Sequence, residues 1–262
     1  MRCHKLSHRE RRDLKGTHRR ARSRKSPRQP KIISPARSWA TLLVLFALMK
    51  GFHAYAQVDE LLPEIDAYYK TSLGPRIWFQ AKETREGGDP TTAEIGPSIE
   101  LYMKPWIKLK DASAFDLDDA KSRPILFSIG YRYLPYPDAA PKNRLEPFVT
   151  FNFPIGRKLL FSDKNRADLD WRSGTFAWEY RNRVQFERTA RIHSYHLSPY
   201  ASVEVFYQSQ YEKWSDTAIY AGCLFPVGKR IEFNPYYEHQ NNTGKRPNQQ
   251  LNQFGLVLDL HF

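Results

Sequence analysis

His196 and Ser198 are the pair whose types and spacing could carry covalent chemistry. At i, i+2 on an extended chain both side chains fall on one face, where an imidazole can take the hydroxyl proton for attack on an ester. A lipid or ester hydrolase would use them so, and would turn them toward its lipid. Ser198, however, shares its face with Tyr200, Ser202 and Glu204, a polar face that should line an interior. The pair reads better as polar residues near a strand end, and the chain as non-enzymatic. His193 and His196 would share a face on a helix but not on a strand, so they predict no metal site. Asp116, Asp118 and Asp119 lack the Gly and terminal Glu of a calcium loop. With no phosphate-binding glycine loop and no zinc-type cysteine pairs, neither a metal nor a cofactor is expected.

A second set of residues points to binding or filling rather than reaction. Arg166, Asp168, Asp170 and Arg172 alternate along one stretch; Glu179, Arg181, Arg183 and Glu187 alternate along the next, and Glu204 follows on a third. Charges of both signs at every second position can pair across strands and fill a narrow barrel. The alternative is that they line a path or grip a polar ligand.

Those positions demand strands, and the last twelve residues, LNQFGLVLDLHF, are the clearest one. Phe254, Leu256, Leu258, Leu260 and Phe262 share one face; Gln253, Asp259 and His261 share the other. About 9–11 tilted residues suffice to cross a bilayer, and a barrel strand presents lipid with an unbroken apolar face. A chain ending on an aromatic that closes such a strand resembles the C-terminal insertion signal of bacterial outer-membrane barrels.

Alternation of the same kind recurs upstream. Strands are expected at 64–71, 76–83, 94–104, 125–133, 145–153, 158–171, 176–187, 196–208, 218–225 and 230–240, with polar loops at 84–92, 135–143, 209–216 and 241–250. These and the terminal strand make eleven. An even number is the rule for a bacterial antiparallel barrel. A further strand within 105–121 would give twelve, and dropping 64–71 would give ten. Pro97, Pro147 and Pro199 lie near strand starts; Pro235 does not, and predicts a bulge. Trp78, Trp171, Tyr133 and Tyr207 stand where interfacial girdles belong.

The front of the chain explains its charge. The formal net charge is +13, but residues 1–56 hold 15 of the 41 Lys and Arg and two of the 28 acids, leaving 26 of each sign beyond them. The excess therefore belongs to a leader and not to a nucleic-acid-binding body. Trp39–Met49 is an apolar run too short to span, followed by Ala54-Tyr55-Ala56, a small-x-small signal-peptidase site. Removal of 1–56 would leave 57–262 as one domain, in which Cys223 has no intrachain partner once Cys3 is gone. A mean hydropathy of −0.65 excludes a helical membrane protein and permits a barrel.

From Asp170 onward the chain resembles an uncharacterised bacterial outer-membrane family, domain of unknown function 2490. The likeness rests on WEYRNRVQFE (Trp178–Glu187), LSPYASVEVFY (Leu197–Tyr207) and the NQFGLVLDLHF terminus. The family carries no activity or catalytic residues to transfer. The expectation is an all-β, antiparallel, up-and-down transmembrane barrel of twelve strands, or ten, in the outer membrane of a Gram-negative bacterium. It would be a narrow pore, a ligand-binding barrel or a structural envelope component. Its partners would be outer-membrane lipids, the barrel-assembly machinery during insertion and an unidentified small-molecule ligand, with no nucleic acid. The rival readings are the hydrolase at His196 and Ser198 and a soluble periplasmic β-fold.

Overall fold

The computed structural model describes residues 58–262 apart from 73, 87–88, 104–118, 156–157 and 245–247. The expected leader, with Ala54 and Ala56, and most of the stretch expected to hold a twelfth strand lie outside the described residues.

Strands follow one another in the order β1 (Val58–Lys70), β2 (Arg76–Glu86), β3 (Asp89–Tyr102), β4 (Ile125–Leu134), β5 (Lys142–Ile155) and β6 (Leu159–Arg172). They continue as β7 (Thr175–Arg188), β8 (Ala190–Ile192), β9 (Tyr195–Gln208), β10 (Lys213–Val227), β11 (Ile231–Asn242) and β12 (Gln249–His261). All but the short β8 close into a ring, in which β7 pairs with β9 and β12 returns to β1. The barrel thus has eleven strands, not twelve or ten, and β8 is a spur paired only with the start of β9. Strands that alternate in direction around an odd ring must meet once in parallel. That meeting is β1 with β12, from Val58 opposite Leu251 to Tyr68 opposite His261. Strict antiparallel order is therefore wrong at this one seam.

Longer pairing than local sequence suggests moves several boundaries. The Gly-Gly-Asp-Pro stretch reads as a nine-residue loop, yet β2 and β3 stay paired out to Glu86 opposite Asp89, with a bulge at Thr84/Arg85 absorbing the mismatch. Likewise β10 begins at Lys213, within the expected 209–216 loop, and has its bulge between Trp214 and Asp216. Connection lengths do not sort cleanly by end. The end carrying Phe262 holds the short 228–230 turn and also the long 103–124 connection, and the other end includes the two-residue turn at 173–174.

Prolines are accommodated by gaps in pairing and not by a bulge at Pro235. The β11–β12 ladder runs unbroken through Pro235, but on the other side pairing lapses between Tyr236–Gly222 and Phe233–Phe225. The same lapse faces Pro97 on β3, between Ile95–Tyr133 and Ser98–Gly130, and Pro147 on β5, between Leu145–Leu169 and Phe148–Arg166. A residue without an N–H fits where no ladder bond is called for. At Pro97 the carbonyls left over are taken up by the Arg132 guanidinium, whose Nη1 donates to Gly96 O at 3.2 Å and Pro97 O at 3.0 Å.

Polarity is inverted relative to a water-soluble barrel. Outward positions carry Ile99, Leu101, Phe127, Ile129, Val203, Ile219, Phe254 and Leu256, all exposed. Inward positions carry Arg132, Glu146, Asp168, Glu204, Glu232 and Glu238, all buried. Outside, aromatics gather near both rims: Trp171 with Phe176 and Trp178 with Tyr207 at one, Phe153, Phe161 and Phe186 at the other. Trp78 is not among them; it points inward, with Arg132 over its ring at 4.7 Å. The outer face carries a polar patch where Asn182 Nδ2 donates to Asp163 at 2.7 Å and to Asn165 at 3.1 Å and Tyr180 donates its hydroxyl proton to Asn165.

Candidate functional site

Because strand side chains alternate, each inward row of the barrel is fixed by register. On β6 and β7, Arg166 stands opposite Arg181 and Lys164 opposite Arg183. Like charges directly opposite repel. The block holds because acids are laid beside it. Arg166 donates from Nη2 to Glu146 at 2.7 Å and from Nε to Asp168. Arg181 bonds Glu204 at 2.9 and 3.1 Å, and Arg183 bonds the same carboxylate at 3.0 and 2.6 Å, with Tyr220 donating to it at 2.7 Å.

Asp168 is the node of this lattice. It is 0% exposed and lies within 3.4 Å of Arg144 and 3.6 Å of Arg181 besides its bond from Arg166. Arg144 continues the chain to Asp170 at 2.7 Å, and Lys142 reaches Asp170 at 3.0 Å. In the other direction Glu146 lies 3.5 Å from Arg132, which donates to Gln80 at 2.7 Å, and Gln80 donates to Glu64. The polar network therefore runs from β1 round to β10.

Each charged residue read from sequence has identifiable neighbours. Arg166, Asp168, Arg181, Arg183 and Glu204 form the centre. Asp170 and Glu179 stand toward the rim away from Phe262, Glu179 receiving a bond from Gln208 at 2.7 Å. Arg172 lies over Tyr136 at 4.0 Å, and Glu187, at the other rim, accepts from Lys121 at 2.9 Å. Sequence reasoning missed Arg132, Arg144 and Glu146. The signal was present, because each sits at the alternate position of a strand whose apolar face had been recognised.

It also missed an acidic wall. Glu60, Glu64, Asp66, Asp216, Glu232, Glu238 and Asp259 face inward from β10, β11, β12 and β1, which carry no inward Lys or Arg between the rims. Asp66 is opposite Asp259, which is opposite Glu232. Between this wall and the arginine wall lies a cavity of about 560 Å³, touched by Asp66, Glu232 and Asp259 on one side and by Lys164, Arg181 and Arg183 on the other. Toward the Phe262 end it meets the 3-10 helix Asp119–Ser122. Ala120 packs there against Trp78, Leu126 and Phe148, and Lys121 faces the cavity.

Of the terminal strand, Phe254, Leu256 and Phe262 are exposed and Leu258 and Leu260 half-exposed, all on the outer face. Asp116 and Asp118 lie outside the described residues.

His196 and Ser198 are not arranged as a dyad. Ser198 points into the barrel, is 0% exposed, and its Oγ has no hydrogen-bond partner. A hydroxyl with nothing to take its proton is not activated. Ser198→Ala is therefore expected to leave ester turnover by the purified protein at its background level and to shift stability by less than about 1 kcal/mol. Chemical denaturation together with a fluorogenic-ester assay checks both.

Residues 120–251, about half of the chain, match the family described as Protein of unknown function (DUF2490). No curated protein matches the chain.

Proposed function

From a chain that belongs to the DUF2490 family, and whose barrel is apolar outside and charged within, we propose a Gram-negative outer-membrane protein that binds a small polar solute in its lumen. The observation that carries the reading is the inversion itself. Water would reward the opposite arrangement, since burying charge costs several kcal/mol per ion and exposed apolar surface is unfavourable. Lipid rewards this one, because the closed wall leaves few backbone groups unpaired and presents side chains soluble in hydrocarbon. Aromatics gathered near both rims support the reading, as do the hydrogen bonds that Asn182 makes to Asp163 and Asn165 on the outer face, since polar groups facing lipid need partners.

Binding is favoured over free passage by the filling of the lumen. Ion pairs hold the arginines against the wall, and the 3-10 helix stands across the mouth with Lys121 bonded to Glu187. Insertion would use the barrel-assembly machinery, with the outward row ending at Phe262 as its signal, after removal of the leader at Ala54-Tyr55-Ala56.

Fractionation tests this reading. Wild-type protein is expected in the outer membrane, migrating differently on a gel before and after boiling, and deletion of Phe262 is expected to reduce the folded, heat-shifting form severalfold. Recovery as soluble periplasmic protein with no heat shift would replace the membrane barrel with a soluble β-fold.

A further inference from the structure

The two walls of the lumen carry opposite charge and face each other. In the ring of eleven strands, β6–β7 lies four strands from β12 on one side and five from β1 on the other, so the basic block is as far from the acidic row as the barrel allows. Both touch the same cavity of about 560 Å³, within the roughly 300–1,000 Å³ typical of small-molecule sites.

Among the described residues, each wall also retains an ionisable group at the cavity without a charged partner. Asp66 is 5% exposed; its Oδ2 accepts from Tyr68 at 3.3 Å, but Oδ1 has no hydrogen-bond partner. It stands in register with Asp259, so two carboxylates are directly opposite on neighbouring strands. Across the lumen, the Lys164 ammonium lies 4.1 Å from the centre of the Phe148 ring and, among the described residues, forms no salt bridge. Its cross-strand neighbour is Arg183, again a like charge.

Resting on the binding-barrel reading, we propose that the cavity takes a small zwitterion of amino-acid or dipeptide size. Its ammonium goes to the Asp66–Asp259 row and its carboxylate to Lys164 beside Arg183. Such a molecule relieves like-charge repulsion on both walls at once. An anion meets the acidic wall unfavourably, and a simple cation leaves Lys164 unanswered. A bare metal ion does not fit: among the described residues no three His, Cys, Asp or Glu side chains are close enough to hold one.

The test is calorimetric titration of the folded, detergent-purified barrel with three related probes that differ in their terminal charges. These are L-alanyl-L-alanine, its N-acetyl derivative without the ammonium, and its C-terminal amide without the carboxylate. The dipeptide is expected to bind at least about tenfold more tightly than either analogue. Asp66→Asn should bring its affinity down to that of the N-acetyl compound while leaving the N-acetyl compound unchanged; Lys164→Gln should bring it down to that of the amide. If Asp66→Asn loses the gel heat shift, Glu232→Gln, on the same row, takes its place. Equal affinity for all three probes, or no binding by any, in protein that keeps its heat shift overturns the zwitterion proposal and leaves the membrane barrel standing. Absence of the heat shift from the wild type overturns the membrane reading instead, and charge preference measured on that protein still decides the ligand class.

Discussion

Asp168→Ala is expected to destabilise the barrel by about 3–5 kcal/mol, the cost of leaving a buried charge cluster without one partner. Three guanidinium groups, from Arg144, Arg166 and Arg181, converge on this fully buried carboxylate. Removing it leaves Arg166 opposite Arg181 with their shared counter-charge gone. Urea unfolding in detergent micelles, followed by tryptophan fluorescence, measures the loss. Because the same physics says that the lattice is held together by mutual compensation, Asp168→Ala combined with Arg181→Met should recover part of it. The rim pair Arg85–Glu83 is the internal control. Both side chains are more than a third exposed, and Glu83→Ala should cost under about 1 kcal/mol. A loss at Asp168 no larger than that at Glu83 would mean that water screens the lumen and that the lattice is not structural.

Ile99→Arg should cost about 2–4 kcal/mol if the outer surface faces hydrocarbon, and within about 0.5 kcal/mol of nothing if it faces water. Ile99 is 51% exposed on the outer face and stands opposite Ile129 within β3 and β4. The measurement is unfolding of the variant and the wild type in lipid vesicles. Ala93→Arg, nearer the rim on the same outward face of that strand, should cost under about 1 kcal/mol, because the penalty for a charge falls toward the interface. A depth-dependent cost identifies lipid in a way that exposure alone does not.

Much of this molecule was legible because a strand's period of two is a local property. The row from Phe254 to Phe262 and the opposite row of Gln253, Asp259 and His261 follow from alternation alone, and so do the inward places of Arg181, Arg183 and Glu204. What was not legible depends on partners distant in the chain. Nothing within Val58–Lys70 says that it lies parallel to β12, so the odd ring could only be recovered from the pairing. Pro235 reads as a defect in its own strand, and becomes ordinary once β10 is seen to make no ladder contact there. The acidic wall escaped notice for the same reason. Asp66, Glu232 and Asp259 lie on strands distant in the chain or paired only by folding, and are joined by two registers.

The parallel seam between β1 and β12 also dictates an order of events. Every other wall contact is made between neighbours in the chain or, at β7 and β9, across a single short spur. The seam joins residues as far apart as Glu60 and Gln253, separated by 193 positions. Chain-closure entropy must be overcome before so distant a contact returns anything, which makes it the slow step. An open, curled sheet of hairpins should therefore accumulate first, with the backbone edges of its first and last strands bare. Such edges are where identical chains stick to one another, so the interval before the ring shuts is when this polypeptide is most exposed to aggregation.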